Sequence, residues 1–286
     1  MNNNQKINDA DISSAGDDFH VLWTIKKSLE LLNFDDSGIK AVNIEGVELS
    51  ESKQLDPTGK NLLGVDLSEY YGADNYKEAN KVVISQLKYS TLRSNKNYTI
   101  GELYIGKKNK STDGSLIHRL ANIFKSYLDK FGRESVLDKV SIKLVSNRNF
   151  NENHLESINE IKKYLLKKKR EISFNTVLKD NPKNRIYLKK LQIASKLKVA
   201  EFTDFIRLFD LDDCGVDSRY SLKIQLYKSI TRETYTSKIQ YNQLRELVID
   251  KMMPEARHRR KITVIDIVAN FGRMNILNLI KNGEIL

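Results

Sequence analysis

Three strand-like segments follow one another in the first third of the chain, and their order constrains the fold more than any other feature of the sequence. Short polar connections separate them, and consecutive strands joined in this way favour antiparallel neighbours. The sequence therefore predicts an antiparallel meander. Its strands are residues 39–49, 62–72 and 81–91.

Helical patterns surround this meander. A helix is predicted over 14–32, with Ser14 as its N-cap, and a strongly amphipathic helix over 115–131, with Ser115 as its N-cap. The second helix precedes a fourth strand over 139–147, which favours parallel pairing of that strand with the third one. Further helices are predicted near 152–170, 186–209, 218–232, 239–252 and 263–271.

These patterns predict an α+β protein in two parts. Residues 1–150 form a core with a mixed sheet flanked by helices, and residues 151–286 form a mainly α-helical accessory or assembly region. No apolar run is long enough to span a bilayer and no signal peptide is visible, and Cys214 is the single cysteine, so we expect a cytoplasmic protein without a membrane partner.

The charge of the chain is unevenly distributed. Its formal net charge is +11, and residues 1–150 contain 21 Lys and Arg against 20 Asp and Glu, whereas the remainder contains 27 against 17. A basic half beside a balanced half suggests a polyanionic partner such as nucleic acid. A general richness of the chain in Lys, Asn and Ile is the alternative explanation of the surplus.

The stretch "KVVISQLKYS" at 81–90 changes from apolar to polar side chains along one face of a predicted strand. Val82 and Ile84 predict a buried strand face, yet Gln86 and Lys88 continue that same face, because strand side chains alternate with period 2. A buried polar group without a partner costs about 1–3 kcal/mol. Either the strand end reaches water, or these two side chains meet a charged ligand.

Asp66, in the preceding predicted strand, suggests which charged ligand Gln86 and Lys88 could meet. Antiparallel neighbours would bring Asp66 beside Gln86 and Lys88. A carboxylate and an amide oxygen can hold Mg²⁺, and a nearby lysine can stabilise charge on a phosphate or orient a water. This combination of residues is suited to metal-dependent phosphodiester cleavage.

The order Asp, then Gln-x-Lys in the next strand, resembles the PD-(D/E)XK nucleases of the restriction-endonuclease-like fold, in their Mrr-like form. The stretches "SSAGDDFHVLWTIKKSLELL", "VNIEGVE", "GVDLSEYYG" and "QLKYST" resemble the nuclease effector domain at the N-terminus of NTPase-containing (Avs-like) bacterial anti-phage defence proteins. The resemblance is best over about 12–150. No G-x-x-x-x-G-K-[ST] loop is present, so NTP hydrolysis is not expected of this chain.

The resemblance implies a set of site residues. Asp66, Gln86 and Glu45 would bind Mg²⁺ or Mn²⁺, and Lys88 would assist the reaction. His20 stands where Mrr-like relatives have Glu or Gln in the first helix, which is a departure from the pattern. Glu48 is an alternative to Glu45, since the strand alternation around Gly46 leaves both open.

The resemblance also implies double-stranded DNA as the substrate. Arg119 is either a phosphate contact or part of a solvated face, and the run Lys167, Lys168, Lys169 and Arg170 is either a DNA contact or the charged end of a helix. We expect a homo-oligomer, or an NTPase or sensor partner, either separate or on a continuation of the same chain. A catalytically inactive nuclease-fold module for nucleic-acid binding or assembly is the alternative.

Overall fold

The structure, a computed structural model, has a six-stranded mixed sheet with helices on both faces. It describes residues 9–32, 38–56, 62, 64–106, 112–167, 173–231 and 237–271. The strands are β1 (Ile39–Ile44), β2 (Leu67–Tyr71), β3 (Lys81–Lys88), β4 (Val140–Ser146), β5 (Phe209–Asp210) and β6 (Lys261–Thr263). The predicted α+β class is confirmed.

The sheet order is β5-β4-β3-β2-β1-β6. The β1–β2 and β2–β3 pairs are antiparallel and the β3–β4 pair is parallel, which confirms the predicted meander and the predicted crossover. β5 extends the sheet in parallel beside β4, and β6 runs antiparallel to β1. Consequently, one end of the sheet gathers the carboxyl ends of β1 and β3 and the amino ends of β2 and β6.

The helices form one layer on each face of the sheet. The first layer packs with Val82, Ile84 and Leu144 in one apolar cluster, which we call the α4-side core. The second packs with Val42, Leu87 and Val145 in another, the α1-side core. The first layer contains α2 (Leu49–Leu55), α3 (Ile100–Tyr104), α4 (Leu116–Phe131), α5 (Arg133–Lys139), α6 (Glu152–Lys167), α7 (Phe174–Asp180), α8 (Arg185–Ser195) and α9 (Val199–Leu208), and the second contains α1 (Asp9–Leu29), α10 (Arg219–Thr231), α11 (Ser237–Met252) and α12 (Val264–Phe271).

Of the two N-caps predicted from local sequence signals, one is confirmed and the other is wrong. Ser115 caps α4 as predicted, with its hydroxyl accepting from the His118 backbone N–H at 3.2 Å. The prediction that Ser14 is an N-cap is wrong, because α1 begins at Asp9 and the chain between them contains no Gly or Pro to stop helix growth.

The first two predicted strands are longer than the observed ones. β1 ends at Ile44 because Glu45 and Gly46 both have positive φ and turn the chain out of the sheet. Leu49 then begins α2, a helix that the sequence pattern did not predict. β2 begins only at Leu67, so Asp66 lies immediately before the strand rather than within it.

Residues beyond position 150 contribute to both edges of the sheet through β5 and β6. Residues from α10 and α11 also belong to the α1-side core. The division of the chain at residue 150 stays a prediction, although the sheet and this core extend across it. Among the described helices, none combines the length and apolar character that a bilayer crossing requires.

Candidate functional site

A cavity of about 690 Å³ opens at the end of the sheet where β1 finishes and β2 and β6 begin. Its wall contains four carboxylates, two histidines and three Arg or Lys side chains. The carboxylates are Asp17, Glu45, Glu48 and Asp66. The other ionisable side chains are His20, Arg257, His258, Arg260 and Lys261.

Asp66 is fixed by hydrogen bonds to β3 and to Glu45, the residue that follows β1. Its backbone N–H donates to Ser85 O at 3.0 Å, and its carbonyl accepts from Glu45 N at 2.8 Å. Its carboxylate Oδ2 accepts from Leu87 N at 2.7 Å. Since Leu67 pairs with Ser85, and Asp66 bonds to both Ser85 and Leu87, Asp66 lies beside the part of β3 that contains Gln86.

Gln86 and Lys88 follow Ile84 on the α4 side of β3. Gln86 is only 1% exposed, and its Oε1 has no hydrogen-bond partner within the described part of the chain. Lys88 is half-buried at the strand end. Neither is among the described residues that line the cavity, so Asp66 stands between the cavity and the polar end of β3.

His20 reaches Asp66 from the opposite layer, on α1. Its Nε2 lies 3.3 Å from Leu87 O and 4.0 Å from Asp66 Oδ2. Because a carbonyl only accepts hydrogen bonds, Nε2 must carry the proton that it donates. A protonated Nε2 has no free lone pair with which to bind a metal. The geometry therefore favours His20 as a side chain that holds the Asp66–Leu87 corner rather than as a metal ligand.

Glu45 and Glu48 both line the cavity, and both carboxylates have partners. Glu45 has a positive φ of 47°. Arg260 contacts it at two points: Arg260 Nη2 lies 2.7 Å from Glu45 Oε2, and Arg260 Nη1 donates to the Glu45 backbone carbonyl at 3.0 Å. The Glu48 carboxylate caps α2 by accepting from Ser50 N at 2.8 Å. Glu45 can serve as a metal ligand only if it exchanges Arg260 for the metal.

A cluster of three or more His, Cys, Asp or Glu side chains placed to hold a metal is not found in the described residues. The expected site therefore depends on Asp66 together with amide or backbone oxygens. Gln86 Oε1, a buried acceptor without a partner among the described residues, is suited to such a set, because Mg²⁺ is bound by oxygen ligands.

The sequence-predicted DNA contacts lie in different places. Arg119, on α4, packs against Gly64, two residues before Asp66, and its Nε is buried without a partner in the described residues. Lys167 ends α6 and lines a groove with Asp212, beside β5 and therefore at the sheet edge farthest from β6. Lys168, Lys169 and Arg170 lie outside the described residues.

Sequence reasoning missed the basic segment Arg257–Lys261 as part of this site. Lys261 pairs with Asn43 in the β6–β1 ladder, which brings the segment to the cavity although more than 200 residues separate the two strands. The available signal was the five consecutive Arg, His or Lys residues at 257–261, immediately before Ile262.

A scan against protein-family models finds no match for the chain, and a search of curated proteins finds none either.

Proposed function

We propose that this protein is a Mg²⁺- or Mn²⁺-dependent endodeoxyribonuclease of the PD-(D/E)XK type, with a restriction-endonuclease-like fold. One observation carries the proposal: Asp66, one residue before β2, is held by hydrogen bonds to Glu45, just after β1, and to Ser85 and Leu87 of β3, the two residues that flank Gln86. The Asp…Gln-x-Lys order is thereby matched by a strand arrangement that brings Asp66 and Gln86 to one end of the sheet.

The donor atoms fit a hard divalent cation. Asp66 and Gln86 would hold it, and Glu45 would join them after releasing Arg260. When bound, the metal supplies stabilisation of negative charge on the phosphate and a water of lowered pKa. Lys88 supports the developing charge at the end of β3, while His20 keeps the Leu87 carbonyl and the Asp66 carboxylate in place.

The resemblance to anti-phage effectors adds the biological context of the proposal. The protein acts on double-stranded DNA in the cytoplasm, as a homo-oligomer or with an NTPase or sensor partner, and this part rests on the resemblance alone. Mass photometry run beside the cleavage assay tests it, because activity that rises with assembly supports the context.

The test of the chemistry is plasmid cleavage with Mg²⁺ or Mn²⁺ by three proteins: wild type, Asp66→Asn and Asp129→Asn. The amide oxygen that Asp66→Asn introduces can still accept from Leu87 N, so the fold is kept while the charged metal ligand is lost. Asp129 lies on α4 with an exposed side chain and is the matched control. We expect Asp66→Asn to reduce cleavage by about 10²-fold or more and the control to cleave like wild type.

A second function has a specific observation in its favour. The Glu45–Arg260 pair neutralises one cavity carboxylate, and the described residues contain no larger ligand cluster. A nuclease-fold module that binds nucleic acid or assembles without cleaving would have this arrangement. Wild-type protein that binds duplex DNA but cuts none with either metal would establish this second reading. Equal cleavage by wild type and Asp66→Asn would remove the proposed active site.

A further inference from the structure

The segment Arg257–Lys261 is held firmly against the end of the sheet. Lys251 Nζ donates to two of its carbonyls, those of Arg259 at 3.2 Å and Lys261 at 2.6 Å. Ile44 N donates to Arg260 O at 3.1 Å, so the segment is also tied to the end of β1. Its side chains therefore project from a well-supported backbone rather than from a loose loop.

The charges on the cavity wall are not balanced. Arg260 is neutralised by Glu45, and Lys261 donates to Asp74 Oδ2 at 2.8 Å. Three lining carboxylates remain near the candidate centre, namely Asp17, Glu48 and Asp66. A phosphate that approaches Asp66 without a nearby cation meets repulsion from these groups.

Arg257 provides the missing positive charge. It lines the cavity, is exposed, and its side chain forms no hydrogen bond or ion pair within the described residues. A guanidinium matches the geometry of a phosphate, to which it can donate two parallel hydrogen bonds. Arg259, two residues later, is also exposed but does not belong to the cavity lining.

We infer that Arg257 binds a backbone phosphate of double-stranded DNA at the mouth of the cavity, adjacent to the phosphate presented to Asp66. This inference rests on the proposed function, since it names a substrate contact of the same site. It makes the segment before β6, rather than the end of α6, the surface that positions the DNA.

The test compares Arg257→Gln with Arg259→Gln, two variants that each remove one exposed positive charge from the same segment. Binding of a short fluorescent DNA duplex is measured by anisotropy in EDTA, over a series of salt concentrations, so that cleavage plays no part. Loss of one phosphate contact makes the negative slope of log K against log salt shallower by about 0.9. We expect this change, with weaker binding, in Arg257→Gln and not in Arg259→Gln.

Arg257→Lys separates charge from geometry, because it keeps the charge and loses the paired hydrogen bonds. We expect it to retain the wild-type salt slope with weaker binding. Equal effects of the two glutamine variants, or no effect of Arg257→Gln, would overturn the inference. So would a stronger dependence on Arg257 for an RNA duplex of the same sequence than for DNA.

The binding assay also keeps this inference apart from the proposed cleavage. A selective loss in Arg257→Gln supports the phosphate contact even if the wild type cuts no DNA. Active cleavage with no contribution from Arg257 refutes the contact and leaves the nuclease proposal standing.

Discussion

Glu51 is a buried carboxyl group whose ionisation should control the stability of the fold. It lies on α2 at 4% exposure, and no ion pair with Lys or Arg is found for it in the described residues. Its Oε1 accepts from Tyr76 N at 2.6 Å, and its Oε2 accepts from the hydroxyl groups of Tyr70 at 2.9 Å and Tyr127 at 3.4 Å. Burial raises the pKa of Glu51 from 4.5 to about 7, although these hydrogen bonds oppose the shift.

The raised pKa of Glu51 determines whether the fold gains or loses stability as the pH rises. Since the pKa of Glu51 is higher in the folded chain, the folded state favours the protonated carboxyl, and its stabilisation is complete below pH 4.5. That stabilisation is lost as the pH rises and is gone above about pH 7. With 1.36 kcal/mol per pKa unit, the free energy of unfolding should fall by about 3 kcal/mol between about pH 5 and pH 8 from this group alone.

Urea unfolding of wild type and Glu51→Gln across this pH range measures the effect, because glutamine does not titrate. The difference in unfolding free energy between the two proteins should change with pH by about the amount derived above. Glu78→Gln removes an exposed carboxylate between β2 and β3 and is the charge-matched control. Parallel pH curves for wild type and Glu51→Gln would refute the reasoning about burial.

Two further predictions concern particular contacts. Glu45→Gly and Glu45→Ala both lose the ion pair with Arg260, but only glycine adopts φ 47° without strain. In urea unfolding, Glu45→Gly should therefore be more stable than Glu45→Ala by about 1 kcal/mol. The opposite order of stability would contradict this prediction. Lys27→Met leaves the buried Glu69 carboxylate with the Tyr71 hydroxyl but without its cationic partner at 3.3 Å, and should cost about 3 kcal/mol. Adding Glu69→Gln should recover much of that loss, and a double variant no more stable than Lys27→Met would exclude the pairing.

The features that sequence predicted well were those with strong local signals. The meander and the amphipathic helix with its Ser115 cap depend on periodicity and short connections, and the structure has both. β5 and β6 were missed because strands of two and three residues carry no periodic pattern, and their pairing partners are distant in the chain.

The candidate site also has a part that local sequence signals predicted and a part that depends on distant pairing. The position of Asp66 beside the end of β3 follows from two consecutive strands, so it could be predicted. The position of Arg257 depends on the pairing of β6 with β1, which no local pattern encodes. The engagement of Glu45 by Arg260 depends on the same pairing.

The last prediction concerns a fragment of residues 1–150, which would contain the candidate centre. In the full chain, α1 packs against α10 and α11. A fully buried large apolar side chain contributes about 1.5–3 kcal/mol, whereas a whole protein is stable by about 5–15 kcal/mol. The fragment would lack the apolar side chains that cover α1, so it should not fold cooperatively. These side chains are Leu222, Leu226, Ile230, Tyr241, Leu244 and Val248.

Trp23 reports the result directly, because it is the only tryptophan of the chain and is 1% exposed on α1. In the fragment its fluorescence should shift to the longer wavelength of a solvated indole, and urea should produce no sharp transition. The matched control is the full chain with Tyr220→Ala, which alters an exposed residue of α10 and should keep the native emission. A fragment with native Trp23 emission and a cooperative urea transition would show that residues 1–150 fold alone. The helices beyond would then be an accessory region rather than half of the α1-side core, and the division at residue 150 would mark a true domain boundary.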